Sequence, residues 1–274
     1  MFAVLIAALL HAAWNALLKA SPDKALANVG QAIARGLIAL VAVPFVPAPA
    51  PESWPWIAGS VVVHVAYFWL LAGAYRWGDL GFSYPIMRGA APAMVAIAGM
   101  ALFAEILPWA ETAAIVLICA AVLAFAGGSS AAPAGQGRAL AFALGNAAVI
   151  ACYTLIDAHG VRLSGAAVGY ALWFFLANSV VQLSIGVGGH GRQVFGYLRR
   201  HAAQAALGGA FTIGAYGTAL WAMTQAPVAL VATLRETSVV FAALIGALFL
   251  GEPLTRRRVF ATALVLGGVV LLRL

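Results

Sequence analysis

Ten runs of about 20 mostly apolar residues follow one another along the chain, separated by short polar breaks. A helix of that length crosses a bilayer, and helices are the open-ended structures that satisfy their own backbone in lipid. The spacing predicts spans at 2–20, 28–47, 54–76, 81–103, 109–127, 138–157, 166–187, 202–223, 228–250 and 255–273. Helix breakers occupy the gaps: Ser21-Pro22-Asp23, the stretch from Pro47 to Pro55, Gly78-Asp79, Pro108, the linker from Gly127 to Gly137, Gly188 to Gly191, Pro227 and Pro253. With 64% hydrophobic and 8% charged residues, the chain cannot hide its apolar surface in one water-soluble core. It reads as an all-α integral membrane protein.

Other classes fall away on similar grounds. The net charge of +7 is scattered in twos and threes between apolar runs and forms no continuous basic face, which excludes nucleic acid as a partner. Cys119 and Cys152 lie in apolar runs without metal or redox spacing and read as packing residues. The first run lacks a basic segment ahead of it and carries its lysine, Lys19, at the far end, so it reads as a span and not as a cleaved leader.

A duplication underlies the ten runs. Arg88 and Arg235 stand inside apolar segments, each 17 residues before a glutamate (Glu105, Glu252), and both pairs repeat at an interval of 147 (235 − 88 and 252 − 105). At the same offset Ala96, Gly99 and Leu107 fall on Ala243, Gly246 and Leu254. The Gly/Ser/Ala/Pro-rich linker at 128–137 separates a first five-helix repeat, 1–127, from a second, 138–274. Five spans per unit is odd, so the second repeat must be inserted upside down relative to the first.

Loop charge agrees with inversion. Basic residues follow spans one and three in the first half (Lys19, Lys24, Arg76) but spans seven and nine in the second (Arg192, Arg199, Arg200; Arg256, Arg257, Arg258). With Arg138, ten basic residues collect on one side against Arg162 and Arg273 on the other. The positive-inside rule then makes the rich side cytoplasmic and puts both termini outside.

The polar residues inside the spans are the candidates for chemistry. A guanidinium in hydrocarbon is costly and is kept for a pathway or a partner. Arg88 and Arg235 lie about eight residues into spans that enter from opposite sides, so they either flank a midplane cavity that attracts an anionic or zwitterionic solute, or pair with carboxylates and lock the bundle. Glu236 points about 100° away from Arg235 around the helix and is a candidate coupling group or a plain acceptor. His11, Asn15 and Lys19 share one face of span one, with Trp14 beside them, and Asn146, Tyr153 and Asp157 nearly share one face of span six. These stripes should face the interior, with Lys19 and Asp157 near enough to the ends to snorkel. Tyr84 lies one turn before Arg88, and Tyr67 one turn after His64, a candidate proton relay or buried donor. Pro85 and Pro92 are expected to bend span four, whereas span nine has no proline. The phosphate-loop, zinc-protease and serine-hydrolase motifs are absent, so no enzyme activity and no cofactor are expected, and energy would come from a proton, ion or solute gradient.

The motifs His11-x-x-Trp14-Asn15, Ala74-Tyr75-Arg76-Trp77-Gly78-Asp79-Leu80, Tyr84-Pro85-Ile86-Met87-Arg88-Gly89, Tyr153-Thr154 with Asp157, Leu234-Arg235-Glu236-Thr237-Ser238 and Gly251-Glu252-Pro253-Leu254-Thr255 carry a resemblance. Over essentially its whole length the chain resembles EamA-type members of the drug/metabolite transporter superfamily. The resemblance implies ten transmembrane helices in two inverted repeats, a central cavity and alternating access. It also implies termini in the cytoplasm, opposite to the loop charge.

The expectation is a secondary transporter, an exporter of small polar organic metabolites, anionic or zwitterionic such as amino acids, in a bacterial inner membrane. Arg88, Arg235, His11, Asn15, Tyr84, Trp14 and Tyr153 are expected to bind substrate, and Glu236, His64 and Asp157 to couple or gate. The expected partners are the small-molecule substrate, the bilayer and a proton or ion gradient, in a monomer or homodimer. The alternatives are a flippase for a lipid-linked phosphate-bearing substrate and a non-transporting membrane scaffold.

Overall fold

The computed structural model describes residues 1–77, 80–124, 136–249 and 255–272, and every regular element among them is helical. The helices are α1 (Phe2–Lys19), α2 (Lys24–Ala42), α3 (Trp54–Trp77), α4 (Leu80–Phe103), α5 (Trp109–Ala124), α6 (Gln136–Leu163), α7 (Ala167–His190), α8 (Gln193–Arg200), α9 (Ala202–Met223), α10 (Val228–Arg235), α11 (Ser238–Phe249) and α12 (Arg256–Leu271). Two single turns, Val43–Phe45 and Pro51–Ser53, join α2 to α3. Seven stretches are long and apolar enough to cross a membrane, and Trp109–Ala124 and Val259–Leu271 are shorter apolar helices. α9 is 22 residues long but carries Gln204, Thr212, Tyr216 and Thr218. Such polarity is tolerated where a helix faces protein instead of lipid. The chain is a multi-pass membrane protein.

Local chemistry sets the helix ends. The Asp23 carboxylate accepts from the Leu26 backbone N–H at 3.0 Å and starts α2. Ala104, with φ of 51°, ends α4 in a left-handed turn. Three departures from the expected spans stand out. α6 runs to Leu163, six residues past the predicted end, because the polar tail containing Asp157, His159 and Arg162 finds protein partners. α4 stays one helix through Pro85 and Pro92, while the proline-free ninth span breaks into α10 and α11 at Glu236-Thr237. There the Thr237 hydroxyl donates to the Leu234 carbonyl at 2.7 Å, and the N–H groups of Glu236 and Thr237 bond three residues back, tightening the turn until it stops. The short α8 has no counterpart among the expected spans. It lays Val194 and Tyr197 on Leu26, Ala27 and Val29 of α2 and leaves Arg199 and Arg200 outside.

The principal packed pairs are α3 with α6, α1 with α9, α2 with α7, α4 with α6, α5 with α12 and α1 with α11. Glycine permits the close approach of α2 and α7: a Cβ on Gly36 would come 2.6 Å from Ser179, and one on Gly186 would come 2.6 Å from Val29. Those contacts run in opposite senses along α2 and α7, so the two are antiparallel.

Contacts between helix ends sort the charges. Gln204 at the start of α9 donates to the Leu17 carbonyl at 2.8 Å, Arg138 at the start of α6 stands 4.6 Å over the Trp77 ring, and Arg257 at the start of α12 donates to the Ala124 carbonyl at 2.6 Å. Lys19, Lys24, Arg76, Arg138, Arg192, Arg199, Arg200, Arg256 and Arg257 therefore share one end of the bundle. At the other end Arg162 pairs with Glu105 at 2.7 Å and donates to the carbonyls of Met223 and Ala226.

Candidate functional site

The polar residues of the spans converge inside the bundle. Arg88 on α4 brings Nη2 to 2.8 Å from Oε1 of Glu236, at the α10–α11 break, and both side chains are buried. The geometry is that of an ion pair without aligned hydrogen bonds: Nε and Nη2 of Arg88 and Oε2 of Glu236 have no hydrogen-bond partner. Arg235 closes α10, a favourable place for a cation because the last helical carbonyls are unpaired. It is half-buried, and its guanidinium stands 5.2 Å over the Tyr216 ring with no carboxylate at ion-pair distance among the described residues. The two arginines thus differ, one held by a carboxylate and one by an aromatic face.

Asp157 is fully buried, so the expectation that it reaches the interface is corrected. Its carboxylate accepts from the hydroxyls of Ser60 at 2.8 Å, Tyr170 at 2.9 Å and Tyr216, tying α6 to α3, α7 and α9. Three hydroxyl donors can satisfy a buried carboxylate without a cation. His64 rests its Nδ1 2.8 Å from the Ser60 carbonyl, with its ring 4.2 Å from that of Tyr153 and 5.0 Å from that of Phe174. On α1, His11 Nδ1 accepts from the Trp14 indole N–H at 3.3 Å, and the Asn15 amide donates to the His11 carbonyl at 2.8 Å. Asn146 turns to α4, where its amide contacts the Met87 sulfur at 2.9 Å and its Oδ1 is unpartnered.

Electrostatic interactions link these groups: His11, Tyr153 and Glu236 each feel both Arg88 and Arg235, Tyr84 feels Arg88 and Glu236, and Asp157 feels Arg235. His11, His64, Tyr67 and Tyr84 lie deep in the bundle yet are only half-buried by surface, each keeping some accessible area. Lys19, in contrast, sits exposed at the basic end, away from this group. Glu105 is not part of it either: its two oxygens accept from the Val228 N–H at 3.1 and 3.0 Å, capping α10. Glu252 lies outside the described residues.

Sequence reasoning missed a third intramembrane arginine. Arg35 on α2 is buried and donates from Nη2 to Asn178 Oδ1 at 3.2 Å, an oxygen that also accepts from Gln182 at 2.7 Å. The rule that singled out Arg88, a guanidinium in an apolar run, finds it at once. Ser60, Tyr170 and Tyr216 were missed as a set because only the fold brings them to Asp157. No group of three or more His, Cys, Asp or Glu side chains forms a metal site among the described residues.

A cavity of about 450 Å³ lies beside this cluster, lined mainly by apolar groups of Met1, Phe2, Trp221, Val231, Leu234 and Leu272. None of the predicted site residues lines it, although Leu234 is next to Arg235.

Twenty-six chains of solved structures match the protein. One of them, described only as "Crystal structure of protein", superposes with a TM-score of 0.76 at 17% identity, covering 99% of this chain and 94% of its own. Likeness at that identity speaks to the fold alone. No curated protein matches. The model of the EamA-like transporter family matches residues 137–274, just over half of the chain and the part that holds Tyr153, Asp157, Arg235 and Glu236. With that match, the chain belongs to the EamA-like transporter family, the membrane transporters that its charged spans resemble.

Proposed function

We propose that the protein is a secondary active transporter, an exporter of small polar organic metabolites of anionic or zwitterionic character, working by alternating access in a bacterial inner membrane. The observation that carries this reading is the Arg88–Glu236–Arg235 cluster: three charged groups in a membrane interior, joined to His11, Tyr84 and Tyr153, with buried polar atoms left unpartnered. Groups costly to bury are kept where a solute uses them. His11, His64, Tyr67 and Tyr84, deep yet partly accessible, support an internal hollow. In this reading Arg235 and Arg88 attract the solute, His11, Trp14, Asn15, Tyr84 and Tyr153 contact it, and Glu236, His64 and Asp157 couple or gate.

The architecture proposed is ten spans in two inverted repeats, 1–127 and 138–274. Exchange α1 with α6, α2 with α7, α3 with α9, α4 with α10–α11 and α5 with α12. The packed pairs then map onto one another: α3 with α6 onto α9 with α1, α4 with α6 onto α11 with α1, and α2 with α7 and α5 with α12 onto themselves. The antiparallel run of α2 against its own equivalent supports inversion. The family match, starting at residue 137, supports the boundary. Arg88 and Glu236 come from different halves, so their pair spans the seam that alternating access would open.

The test is gradient-driven accumulation of labelled glutamate, lactate and alanine in liposomes. Arg235→Gln breaks no ion pair among the described residues and is expected to cut accumulation at least tenfold with an unchanged melting temperature. Transport at the wild-type rate in this folded variant would remove Arg235 from the mechanism. A second reading, a flippase for a lipid-linked phosphate-bearing substrate, draws on the apolar cavity that reaches Leu234 beside Arg235. Scrambling of a fluorescent phospholipid-linked sugar without solute uptake would favour it.

A further inference from the structure

Arg35 is held in a way that a buried guanidinium alone does not tolerate. It has five N–H donors, yet its hydrogen bond goes to one neutral amide oxygen, Asn178 Oδ1, which it shares with Gln182, and its Nε has no partner. No carboxylate lies at ion-pair distance from it among the described residues. Ser179, one residue along α7, is also buried with its hydroxyl unpartnered. Ser179 packs on Gly36, the residue after Arg35, so α2 and α7 carry a buried cation and a buried unpartnered hydroxyl at neighbouring positions. Breaking up a buried ion pair costs several kcal/mol because one charge is left unmatched, and Arg35 is unmatched from the start.

The charge balance extends the point. Within the spans the described interior holds three guanidiniums, Arg35, Arg88 and Arg235, against two carboxylates, Asp157 and Glu236. Even with both carboxylates ionised, one positive charge is left over. His64 lies within electrostatic reach of both Arg35 and Arg235.

We propose that Arg35, positioned by Asn178 and Gln182, is an anion-binding group of the transport site, and that the solute carries a net negative charge instead of being a neutral zwitterion. This rests on the transporter reading above and narrows its substrate class. Solute carboxylate oxygens supply the acceptors that Nε of Arg35 lacks, as a charge-assisted contact. Zwitterionic solutes leave the surplus charge in place and bind less well.

Acetate, the smallest carboxylate, and acetamide, its neutral counterpart, probe this directly in the full chain in detergent. A ligand that binds only the folded state raises the melting temperature with a saturable concentration dependence. Acetate is expected to stabilise the wild type at millimolar concentrations and acetamide is not. Arg35→Gln is expected to weaken the acetate response at least tenfold, while Arg35→Lys keeps most of it. Should Arg35→Gln fail to fold, Asn178→Ala, which releases the guanidinium from its support, is expected to weaken the response several-fold. Equal responses to acetate and acetamide, or an unchanged acetate curve in either folded variant, would overturn the proposal. The two readings fail separately: acetate binding through Arg35 without liposome transport sinks the transporter, and Arg235-dependent transport with an Arg35-independent acetate response sinks only the anion site.

Discussion

Arg88 and Glu236 hold each other's charge at 2.8 Å with side chains about 10% and 5% exposed. Removing one partner leaves the other charge buried and bare, so Arg88→Ala or Glu236→Ala is expected to cost about 3–5 kcal/mol. The double substitution Arg88→Met/Glu236→Leu removes both charges and is expected to return to within about 1 kcal/mol of wild type, or above it, while transport stays lost. Chemical denaturation in a double-mutant cycle measures both, and additive single effects would show that the pair is not coupled. The side chains of this cluster were legible one at a time, because a charge in an apolar run announces its own cost. Their partners were not. Arg88 and Glu236 are 148 residues apart in sequence (236 − 88), and nothing local selects one for the other. Arg35 obeys the same rule but lies outside the 147-residue repeat that pairs Arg88 and Arg235 with downstream glutamates. The apolar run of span six ends at Asp157, which by itself suggests an interfacial carboxylate. The helix continues because Ser60, Tyr170 and Tyr216 replace water around its carboxylate.

Among the elements, α6 is the one on which the site hangs, and Gly160 is the position that lets it. A Cβ there would come 2.5 Å from the Tyr170 hydroxyl and 2.6 Å from the Trp56 Cβ. Gly160→Ala is expected to destabilise by about 1–3 kcal/mol through overpacking and to push Tyr170 off Asp157. Thermal denaturation checks the cost, and a melting temperature equal to wild type would mean that α3 and α7 yield freely. Helix positions were readable from apolar run length, which is why most ends fall within a few residues of expectation. What escaped was how each helix ends. α4 carries two prolines and continues as the single span expected, while Thr237 and the tightened turn stop α10 where no proline stands. A helix pauses where its side chains offer the backbone another partner, and that offer depends on the neighbours each side chain would otherwise have. α8 was hidden for another reason: eight amphipathic residues give too short a pattern to separate from a loop.

For the whole molecule, the basic residues collect at one end, as the loop-charge pattern required. By the positive-inside rule that end is expected to be cytoplasmic, with residue 1 on the far side. Alkaline phosphatase fused after residue 274 is expected to be active and a fluorescent protein there dark; the opposite result would reverse the orientation and favour the family habit. The proposed inversion rests on an odd span count per repeat, which the sequence offers directly, whereas the meeting of Arg88 with Glu236 emerges only from packing. The lopsided ends also have a preparative consequence. Each Lys or Arg near an acidic leaflet contributes about 1 kcal/mol, so nine such groups at one rim against Arg162 at the other, counted among the described residues, bias which way the protein enters preformed vesicles. Proteoliposomes made with anionic lipid on one face should hold a largely single-sided population, and a flux assay on them reads one direction of travel.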